Sequence, residues 1–582
     1  MCGIIGYVGK NNALKALING LKALEYRGYD SVGVAYFLND KIKIIKDKGR
    51  INELENNIDI NDLPNIGIGH TRWATHGVPN KINAHPHNVG NITLVHNGII
   101  ENYLELKEEL IKHDYNFKSD TDTEVACAYI DYLYKNNNDM LKTLHEIQNI
   151  FIGSYALCIL INNDFDNIYI TKKGSPLILG INNDEKIIAS DISAIISYTK
   201  DYIILEDNDI GIINRDNYKI YNNNKLVNKE ILTFDKNIDS ISKDGYDHFM
   251  LKEIYEENEL INNTLNHYFN NNLLSSLPDI SKYKSIYIVG CGSAYNAGLI
   301  GKYYIEKYLD IPVYVELASE FRYKKLFIKE NDLVIAISQS GETADTIEAV
   351  KIAKERNAKV LGIINTYQST IARLSDEVIY INAGIEVAVA TTKAYSLQVL
   401  YLILLALRNS NIVINNIDKE INTIYNYDYK KYIKHLVNTE HIFFIGRGID
   451  YYLSVEGCLK LKEISYIHAE SYAAGELKHG TISLIDKDTP VIAIITDNDI
   501  AKKTISNIKE VKARGAYVII VASDNINIDK EIYDEIISIP YNKYLLPILS
   551  IISMQLLSYY VAKEKKCDID KPRNLAKSVT VE

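Results

Sequence analysis

The chain has 582 residues, of which 47% are hydrophobic and 24% are charged, and its formal net charge is −11. This length exceeds what one hydrophobic core supports and predicts about three domains of ordinary size. The acidic balance argues against nucleic acid or an anionic membrane surface as the main partner, although local basic pockets for a phosphate ester remain compatible with it.

The cysteines and the apolar stretches exclude further classes. Six cysteines lie far apart and form no Cys-x-x-Cys pair, which argues against structural zinc and against a disulfide framework. Lys10 precedes any apolar stretch of useful length, so no secretory signal peptide is predicted. The most apolar stretches, 396–407 and 548–562, are too short or too interrupted by polar residues to span a bilayer. We therefore expect a cytoplasmic protein with no membrane or nucleic-acid partner.

The first residues, Met1-Cys2-Gly3-Ile4, place a thiol one residue from the start of the chain. Removal of Met1 would give Cys2 a free α-amine, which titrates at about pH 8 and can take a proton from the thiol. A nucleophile that carries its own base is the arrangement of N-terminal-nucleophile hydrolases. The motif alone favours an ordinary small residue at position 2.

Up to about residue 235, short strand-like segments alternate with turns, and helical patterns occur near 13–24 and 101–112. The polar segment 233–244 predicts a linker. A helical pattern follows from about residue 246, and three glutamates are expected on its solvated face: Glu253, Glu256 and Glu257.

Beyond residue 280 the pattern changes to strand–turn–helix units. A β-rich run, a Gly-x-Gly turn and a helix occur at 286–295 and again at 442–451. This repeat predicts two copies of a doubly wound α/β domain. The predicted boundaries are a first domain at 1–235, a linker with connecting helices at 236–280, repeat domains at 281–420 and 430–570, and a tail at 571–582.

A candidate phosphate site follows the buried strand pattern at 333–337. The next residues are Ser338-Gln339-Ser340-Gly341-Glu342-Thr343, and a helical pattern begins after them. Backbone N–H groups at a helix N-terminus, together with three hydroxyls, form a neutral cradle for a phosphate dianion. The segment lacks Gly-Lys-Ser/Thr, so binding of a nucleoside triphosphate is not predicted. A simple Ser/Thr helix cap is the alternative.

Long motifs over the whole chain resemble the glutamine–fructose-6-phosphate aminotransferase family. The segments 1–4, 25–31, 69–77 (Gly-His-Thr-Arg-Trp-Ala-Thr-His-Gly) and 96–98 (His-Asn-Gly) resemble class II glutaminase domains. The segments 338–343 and 463–480 resemble sugar isomerase (SIS) domains, and 571–582 resembles the family's C-terminal tail. The resemblance implies a mixed α/β and α+β fold, an N-terminal-nucleophile αββα sandwich followed by two doubly wound SIS domains, with no cofactor.

The resemblance implies roles for the residues of the glutaminase half. Cys2 would attack the carboxamide of glutamine, and the Asn97 side chain with the Gly98 N–H would form the oxyanion hole. Arg72 and Asp122 carry charges opposite to those of the α-carboxylate and α-ammonium of glutamine; without the resemblance, a surface ion pair and a helix N-terminal acid are the alternatives. The implied glutamine-binding set is Arg72, Trp73, Thr75, His76 and Asp122, and Trp73 is also predicted to gate ammonia transfer.

Five histidines lie between residues 70 and 96, so a metal site has to be weighed. No cysteine or acidic residue is spaced with them as a further ligand, and the family uses no metal in catalysis. No metal site is predicted.

In the isomerase half, the resemblance implies that Glu463 moves a proton between C1 and C2 of the sugar and that Lys577 forms a Schiff base with the open-chain ketone. Lys460 would balance charge nearby. A lysine amine attacks only when neutral, so we expect the tail to bury Lys577. His479 would open the sugar ring and, in the family, reaches the neighbouring subunit's site, so a homodimer is expected. Without the resemblance, Lys460, Glu463 and His479 would be interpreted as an ordinary charged helix face.

The implied sugar-phosphate site combines residues from both repeat domains and the tail. Where the family more often has Thr-Ser, this chain has Ser293-Ala294, so one hydroxyl is absent. The implied contacts are Cys291, Gly292, Ser293, Ser338, Gln339, Ser340, Thr343, Val389 and Ala576.

The predicted function is a bifunctional amidotransferase and ketose–aldose isomerase. It would convert fructose 6-phosphate and glutamine to glucosamine 6-phosphate and glutamate. Ammonia would pass between the two sites shielded from solvent. A SIS-type sugar-phosphate deglycase or deaminase is an alternative, but it needs no Cys2. A catalytically inactive sensor of glutamine and sugar phosphate is another. Asparagine synthetase and phosphoribosyl amidotransferase are not favoured, because their Ser-Gly-Gly loop and Asp-Asp run are missing.

Overall fold

The structure is a computed structural model that describes residues 2–59, 61–74, 76–234 and 242–580. Thr75, residues 235–241 of the predicted linker segment 233–244 and the last two residues of the predicted tail lie outside the described residues. By its internal contacts the chain divides into two compact units. The first holds the described residues up to 234 together with 578–580, and the second holds residues 242–577.

Two antiparallel sheets form the first unit. Its strands are β1 (Gly3–Gly9), β2 (Ser31–Leu38), β3 (Lys41–Lys48), β4 (Ile66–Arg72), β5 (His87–Val89), β6 (Ile92–Ile100), β7 (Gly153–Ile161), β8 (Ile168–Lys173), β9 (Ile178–Ile181), β10 (Glu185–Ala189), β11 (Asp201–Ile204), β12 (Asp209–Ile213), β13 (Tyr218–Asn222), β14 (Lys225–Val227) and β15 (Leu232–Thr233). One sheet has the order β15-β11-β9-β10-β1-β4-β2-β3, and the other has the order β14-β13-β12-β8-β7-β6-β5.

Helices cover the outer faces of both sheets. They are α1 (Ala13–Leu24), α2 (Ile51–Glu55), α3 (Tyr103–Ile111), α4 (Asp122–Asn137) and α5 (Met140–Ile150). Successive side chains of a strand point to opposite faces. In β1, Ile4 packs into the core between the sheets, and Ile5 packs into the core under α1. Helices α4 and α5 cover the other sheet through Val125 and Leu144. This layering confirms the predicted αββα sandwich.

The second unit holds two parallel sheets. Its strands are β16 (Ile286–Gly290), β17 (Val313–Leu317), β18 (Leu333–Ser338), β19 (Lys359–Ile364), β20 (Glu377–Tyr380), β21 (His441–Gly446), β22 (His468–Ala473), β23 (Pro490–Ile495), β24 (Tyr517–Ser523) and β25 (Glu535–Ile539). The sheet orders are β17-β16-β18-β19-β20 and β22-β21-β23-β24-β25. Both are the doubly wound order 2-1-3-4-5, which confirms the predicted repeat.

The helices of the second unit are α6 (Phe249–Leu265), α7 (Ser293–Leu309), α8 (Ala318–Phe321), α9 (Ala344–Glu355), α10 (Thr370–Leu374), α11 (Lys393–Leu407), α12 (Asp418–Tyr425), α13 (Lys430–Ile433), α14 (Ile449–Ser465), α15 (Ala501–Lys512) and α16 (Leu546–Glu564). Within the described ranges, α16 is the one helix with the length and apolarity to cross a membrane, and 89% of its apolar window is buried inside the protein. Such burial is typical of a core helix.

The expectation of a solvated glutamate face on α6 is wrong for two of the three residues. Glu253 and Glu257 are buried. Glu253 accepts the backbone N–H of Val387 at 2.5 Å, and Glu257 accepts the hydroxyl of Ser396 at 2.5 Å. Burial raises the pKa of each carboxyl to about 8. The helix therefore turns these two acids toward α11 and the segment before it, which periodicity alone cannot show.

Candidate active site

Cys2 lies at the start of β1, beside the end of β4. The register Gly3↔Thr71 brings residues 72–73 against Cys2, and the Trp73 N–H donates to Cys2 Sγ at 3.3 Å. Gly28 permits this approach, since a Cβ there would lie 2.7 Å from the carbonyl carbon of Arg72. Burial raises the pKa of the Cys2 thiol above its usual value. The thiol therefore needs a base before it can attack.

The Asn97 side chain is oriented toward Cys2 by a histidine. Its Nδ2 donates to the Cys2 carbonyl oxygen at 3.0 Å, and its Oδ1 lies 3.1 Å from His70 Nε2. His70 Nε2 also lies 2.9 Å from the carbonyl oxygen of His96, which can only accept. His70 therefore carries its proton on Nε2, and burial lowers its pKa to about 3. This neutral ring directs the Asn97 amide donors toward the nucleophile.

Gly98 follows Asn97 in β6 and cannot carry a side chain. Its φ is +126°, and a Cβ there would lie 2.0 Å from the carbonyl oxygen of Ser154 in β7. The backbone at the predicted oxyanion position therefore requires glycine.

Arg72 is buried at the end of β4 with one donor group available. Its Nη2 donates to the carbonyl oxygens of His76 and Gly77, the latter at 3.2 Å. Its Nη1 is buried and has no hydrogen-bond partner among the residues that the structure describes. An unsatisfied buried guanidinium N–H is costly, and a ligand carboxylate would satisfy it.

Asp122 supplies the opposite charge at the start of α4. It is buried and accepts the backbone N–H of Ile100 at 2.9 Å. Although burial lowers the pKa of Arg72, the negative charges of Asp30 and Asp122 favour its charged form. The site thus places Arg72 within electrostatic range of the thiol and Asp122 within electrostatic range of Arg72, an arrangement suited to a zwitterionic amino acid.

The remaining histidines of the cluster pack in the interior of this unit. The rings of His70 and His85 stack with their centroids 4.1 Å apart. His87 contacts the hydroxyl of Thr121 at 3.1 Å, and burial lowers the pKa of both His85 and His87 well below the usual value. These histidines are therefore neutral packing groups around physiological pH.

In the second unit, the segment Ser338–Thr343 forms a closed turn between β18 and α9. Ser338 Oγ accepts the N–H of Gly341 at 2.9 Å and lies 3.1 Å from Thr343 Oγ1. The N–H of Glu342 donates to Ser340 Oγ at 3.2 Å. The turn gathers three hydroxyls at a helix N-terminus, the arrangement expected for a phosphate.

A second turn, Cys291–Ser293, follows β16, the strand next to β18. Gly292 has a φ of +55°, a conformation that favours glycine, and α7 begins directly after it. Because β16 and β18 are parallel neighbours, their two turns lie at the same sheet edge. This edge is the topological switch point, where doubly wound folds bind their ligands.

Lys460 links the two repeat domains at this edge. Its buried Nζ donates to Ser293 Oγ and to the carbonyl oxygen of Thr391, both at 3.1 Å, and lies 2.5 Å from Glu463 Oε1. Burial alone would lower its pKa, but the charges of Glu463 and Glu456 outweigh that effect and raise it. Lys460 is therefore a fixed cation rather than a base.

Lys577, in the tail, inserts its side chain next to the same cluster. Its Nζ donates to the carboxylate of Glu386 and, at 3.5 Å, to Thr391 Oγ1. The Lys577 side chain is only 2% exposed, as expected for the tail. Thr391 thus contacts both Lys460 and Lys577, and the structure brings together four predicted residues: Ser293, Lys460, Glu463 and Lys577.

Comparison with known proteins agrees with this geometry. The SIS domain family matches residues 279–408 and again 435–564, and the glutamine amidotransferase domain family matches residues 70–197. A glutamine–fructose-6-phosphate aminotransferase (isomerizing) from Caldanaerobacter subterraneus is 46% identical, with both chains covered completely. Its counterpart from Pyrococcus horikoshii is 42% identical, again over both full lengths. The chain belongs to the glutamine–fructose-6-phosphate aminotransferase family.

A solved structure of the same family matches in its fold. The C-terminal domain of glucosamine-fructose-6-phosphate aminotransferase from Francisella tularensis is 37% identical, with a TM-score of 0.50. The match covers 56% of this chain and 99% of that one. Membership of the aminotransferase family confirms the predicted enzyme class and the combination of a glutaminase domain with two SIS domains.

Some residues implied by resemblance to the aminotransferase family lie apart from these clusters. His479 ends a short helical turn, Leu477–His479, and is exposed. In the part of the chain that the structure describes, it makes no hydrogen bond or ion pair with Lys460, Glu463 or Lys577. Val389 donates its N–H to the carbonyl oxygen of Asp570 at 2.9 Å, which ties its loop to the start of the tail.

Sequence reasoning missed Glu386, Thr391 and His70. Glu386 is a single acid in the otherwise apolar run 385–390, and that contrast is a usable signal for a buried, paired carboxylate. Thr391 and His70 carry no comparable signal, because their roles depend on contacts with residues distant in the sequence.

Proposed function

We propose that the chain makes glucosamine 6-phosphate and glutamate from fructose 6-phosphate and glutamine. The relatives that match it over their full length are named glutamine–fructose-6-phosphate aminotransferases. The observation that carries the proposal is that one chain holds both a thiol beside an oriented amide, Cys2 with Asn97, and a lysine–carboxylate cluster at a phosphate-type turn.

In the glutaminase site, Cys2 attacks the carboxamide carbon of glutamine. The α-amine freed by removal of Met1 takes the thiol proton and passes it to the leaving ammonia. The amide of Asn97 and the N–H of Gly98 stabilise the oxyanion, where one fixed donor is worth about 3 kcal/mol of barrier. Water then hydrolyses the thioester to glutamate.

Recognition of glutamine uses the buried charge pair. The unsatisfied Nη1 of Arg72 donates to the α-carboxylate, and the carboxylate of Asp122 accepts from the α-ammonium. His76 and Thr75 complete the proposed contacts.

In the isomerase site, the turn Ser338–Thr343, together with residues 291–293, binds the phosphate. His479 opens the ring. Lys577 gives a proton to the carboxylate of Glu386, and its neutral amine then forms a Schiff base at C2 with loss of water. Ammonia displaces Lys577 to give the ketimine. Glu463 then takes a proton from C1 and returns it to C2, which yields the amino aldose.

The fixed charge of Lys460 stabilises the negative charge that develops during this proton transfer. Val389 and Ala576 complete the proposed sugar contacts. We further propose a cytoplasmic homodimer in which His479 acts in the neighbouring subunit's site, which its exposure in the single chain supports.

The deciding experiment supplies the purified protein with fructose 6-phosphate and glutamine labelled with ¹⁵N in its amide. Labelled glucosamine 6-phosphate, detected by mass spectrometry, is the expected product. Cys2→Ala should abolish it, while Lys577→Ala should leave glutamate release intact. Release of glutamate without labelled amino sugar would show that the protein is only a glutaminase. Formation of labelled glucosamine 6-phosphate by Cys2→Ala would refute Cys2 as the nucleophile. Intact-mass measurement tests whether Met1 is removed.

Trp73 adjoins both Arg72 and the Cys2 thiol, and we propose that it gates ammonia transfer. Trp73→Ala should keep glutamine hydrolysis but lower the yield of glucosamine 6-phosphate per glutamate. Trp73→Phe, which keeps an aromatic ring, is the matched control. An unchanged product ratio in Trp73→Ala would show that the gating idea is wrong.

A further inference from the structure

The segment 78–86 leads from the proposed glutamine site into β5 and lies directly on the β2–β3 strand pair. Gly33 and Lys46 are register partners on that pair. A Cβ on Gly33 would lie 2.2 Å from the carbonyl oxygen of His85. The segment therefore lies closer to β2 than any residue other than glycine at position 33 would allow. The backbone of the segment therefore occupies the space that a side chain at position 33 would need.

Lys46 holds the segment at the same point. Its Nζ donates to the carbonyl oxygens of Ile82 at 3.2 Å, Ala84 at 2.7 Å and Pro86 at 3.2 Å. All three donors of an ammonium group can be used in this way. Burial lowers the pKa of Lys46 to about 8, so the charge is kept here at an electrostatic cost. Together, Gly33 and Lys46 form what we term the seat of segment 78–86.

The seated segment is joined to both charged groups of the glutamine site. Asn83 Oδ1 accepts the N–H of Asp120 at 3.1 Å, in the turn that leads into Asp122. At the other end, Arg72 donates to the carbonyl oxygens of residues 76 and 77. A movement of the segment would therefore displace Arg72 and Asp122 relative to each other.

We propose that Lys46 is a positioning residue for glutamine binding, which acts by holding segment 78–86 in its seat. The inference rests on the proposed function of the glutaminase site. Within the described residues, Lys46 makes no hydrogen bond to Cys2 or Asn97. Lys46 therefore affects the affinity for glutamine, whereas the rate at which bound glutamine reacts depends on other groups.

Lys46→Met removes the three donors and keeps most of the side chain. The KM for glutamine should rise about tenfold, which corresponds to roughly 1.4 kcal/mol, with kcat for glutamate release changed less than about twofold. Lys46→Arg should recover part of the affinity, because a guanidinium also donates to several carbonyls. Lys41→Met, an exposed change in the same strand, is the matched control and should behave as wild type.

A glutamine-analogue inhibitor separates binding from chemistry. Inactivation by 6-diazo-5-oxo-L-norleucine should show a weaker dissociation constant in Lys46→Met, with an unchanged limiting rate. Alkylation of Cys2 by iodoacetamide, which needs no glutamine pocket, should proceed at the wild-type rate. Gly33→Ala displaces the segment from the other side of the seat and should give the same split, so the test does not depend on one variant folding.

Unchanged glutamine affinity in both variants would overturn the proposal, as would a loss of kcat with an unchanged KM. A wild-type protein that released no glutamate would instead refute the proposed function itself. The two failures are therefore distinguishable in one set of measurements.

Discussion

The amine of Lys577 is held by a carboxylate that belongs to a loop. Glu386 is fully buried, and its Oε1 accepts the N–H of Thr392 at 3.0 Å and of Ala394 at 3.2 Å. These contacts and the charge of Lys577 keep the pKa of Glu386 below its usual value despite burial. Removing one partner of such a buried pair leaves an uncompensated charge, at a cost of about 3–5 kcal/mol.

Glu386→Gln should therefore release Lys577 from its position. We expect glucosamine 6-phosphate formation to fall about 100-fold or more, since that corresponds to roughly 3 kcal/mol. Glutamate release should continue, because it uses the first unit. Glu355→Gln, an exposed change in α9, is the control. Equal amino-sugar formation by both variants would contradict the anchoring role of Glu386.

Sequence motifs identified the residues that we propose to react but not those that orient them. Cys2 and Lys577 lie in long recognisable segments, whereas Glu386 meets Lys577 across 191 positions of the chain. His70 reaches Asn97 only because β4 and β6 bring them together across the two layers of the sandwich. Such partners are fixed by tertiary packing, which no local pattern encodes.

At the scale of elements, the two repeat domains share a backbone but differ in the side chains at the switch point. Gly292 and Gly448 both have a φ of +55° at the same turn. In the second copy, however, the carboxylate of Asp450 accepts the N–H groups of Thr496 at 3.0 Å and Asp497 at 3.4 Å. In the second copy, the carboxylate of Asp450 thus occupies the switch point and bonds the backbone N–H groups there. In the first copy, side-chain hydroxyls lie at the same place.

The Ser338–Thr343 turn is packed so closely that adding one methyl group at Gly341 should disturb it. Gly341 has a φ of +66°, and a Cβ there would lie 1.9 Å from Ser369 Oγ. Gly341→Ala should open the turn and raise the KM for fructose 6-phosphate by about tenfold, equivalent to roughly 1.4 kcal/mol, while glutamate release without sugar stays unchanged.

The matched control for this change is Gly245→Ala. Gly245 also has a positive φ, +87°, but no atom lies within 4 Å of its added Cβ. It therefore reports the backbone strain of about 1–2 kcal/mol without the collision. If Gly341→Ala and Gly245→Ala gave the same sugar-phosphate KM, the turn would not depend on this close approach.

Local periodicity predicted the elements better than their arrangement. The helical pattern at 13–24 coincides with α1, and the strand–turn–helix repeat gave both parallel sheets, because each unit is built from neighbouring segments. In the first unit, β1 pairs with β10 and β4, which are distant in sequence. Alternation along β1 cannot select those partners, so only the family resemblance supplied the sandwich.

At the scale of the whole molecule, the position of His479 has a consequence for assembly. Its side chain is exposed, while Lys460, Glu463 and Lys577 are gathered at one cluster in the chain. Homodimers are most often two-fold symmetric, so each subunit would give and receive the same residue. In that arrangement, a complete site contains Lys577 from one copy and His479 from the other.

Mixing two inactive variants tests this arrangement. His479→Asn and Lys577→Ala should each lose amino-sugar formation when alone. After subunit exchange, half of the dimers are mixed and one of their two sites is complete, so about a quarter of the wild-type activity should return. Lys577→Ala mixed with Glu463→Gln is the control and should regain nothing, because both residues serve the same copy's site. Exchange is verified by native mass spectrometry of differently tagged chains. If mixed dimers form but stay inactive, His479 acts within its own subunit.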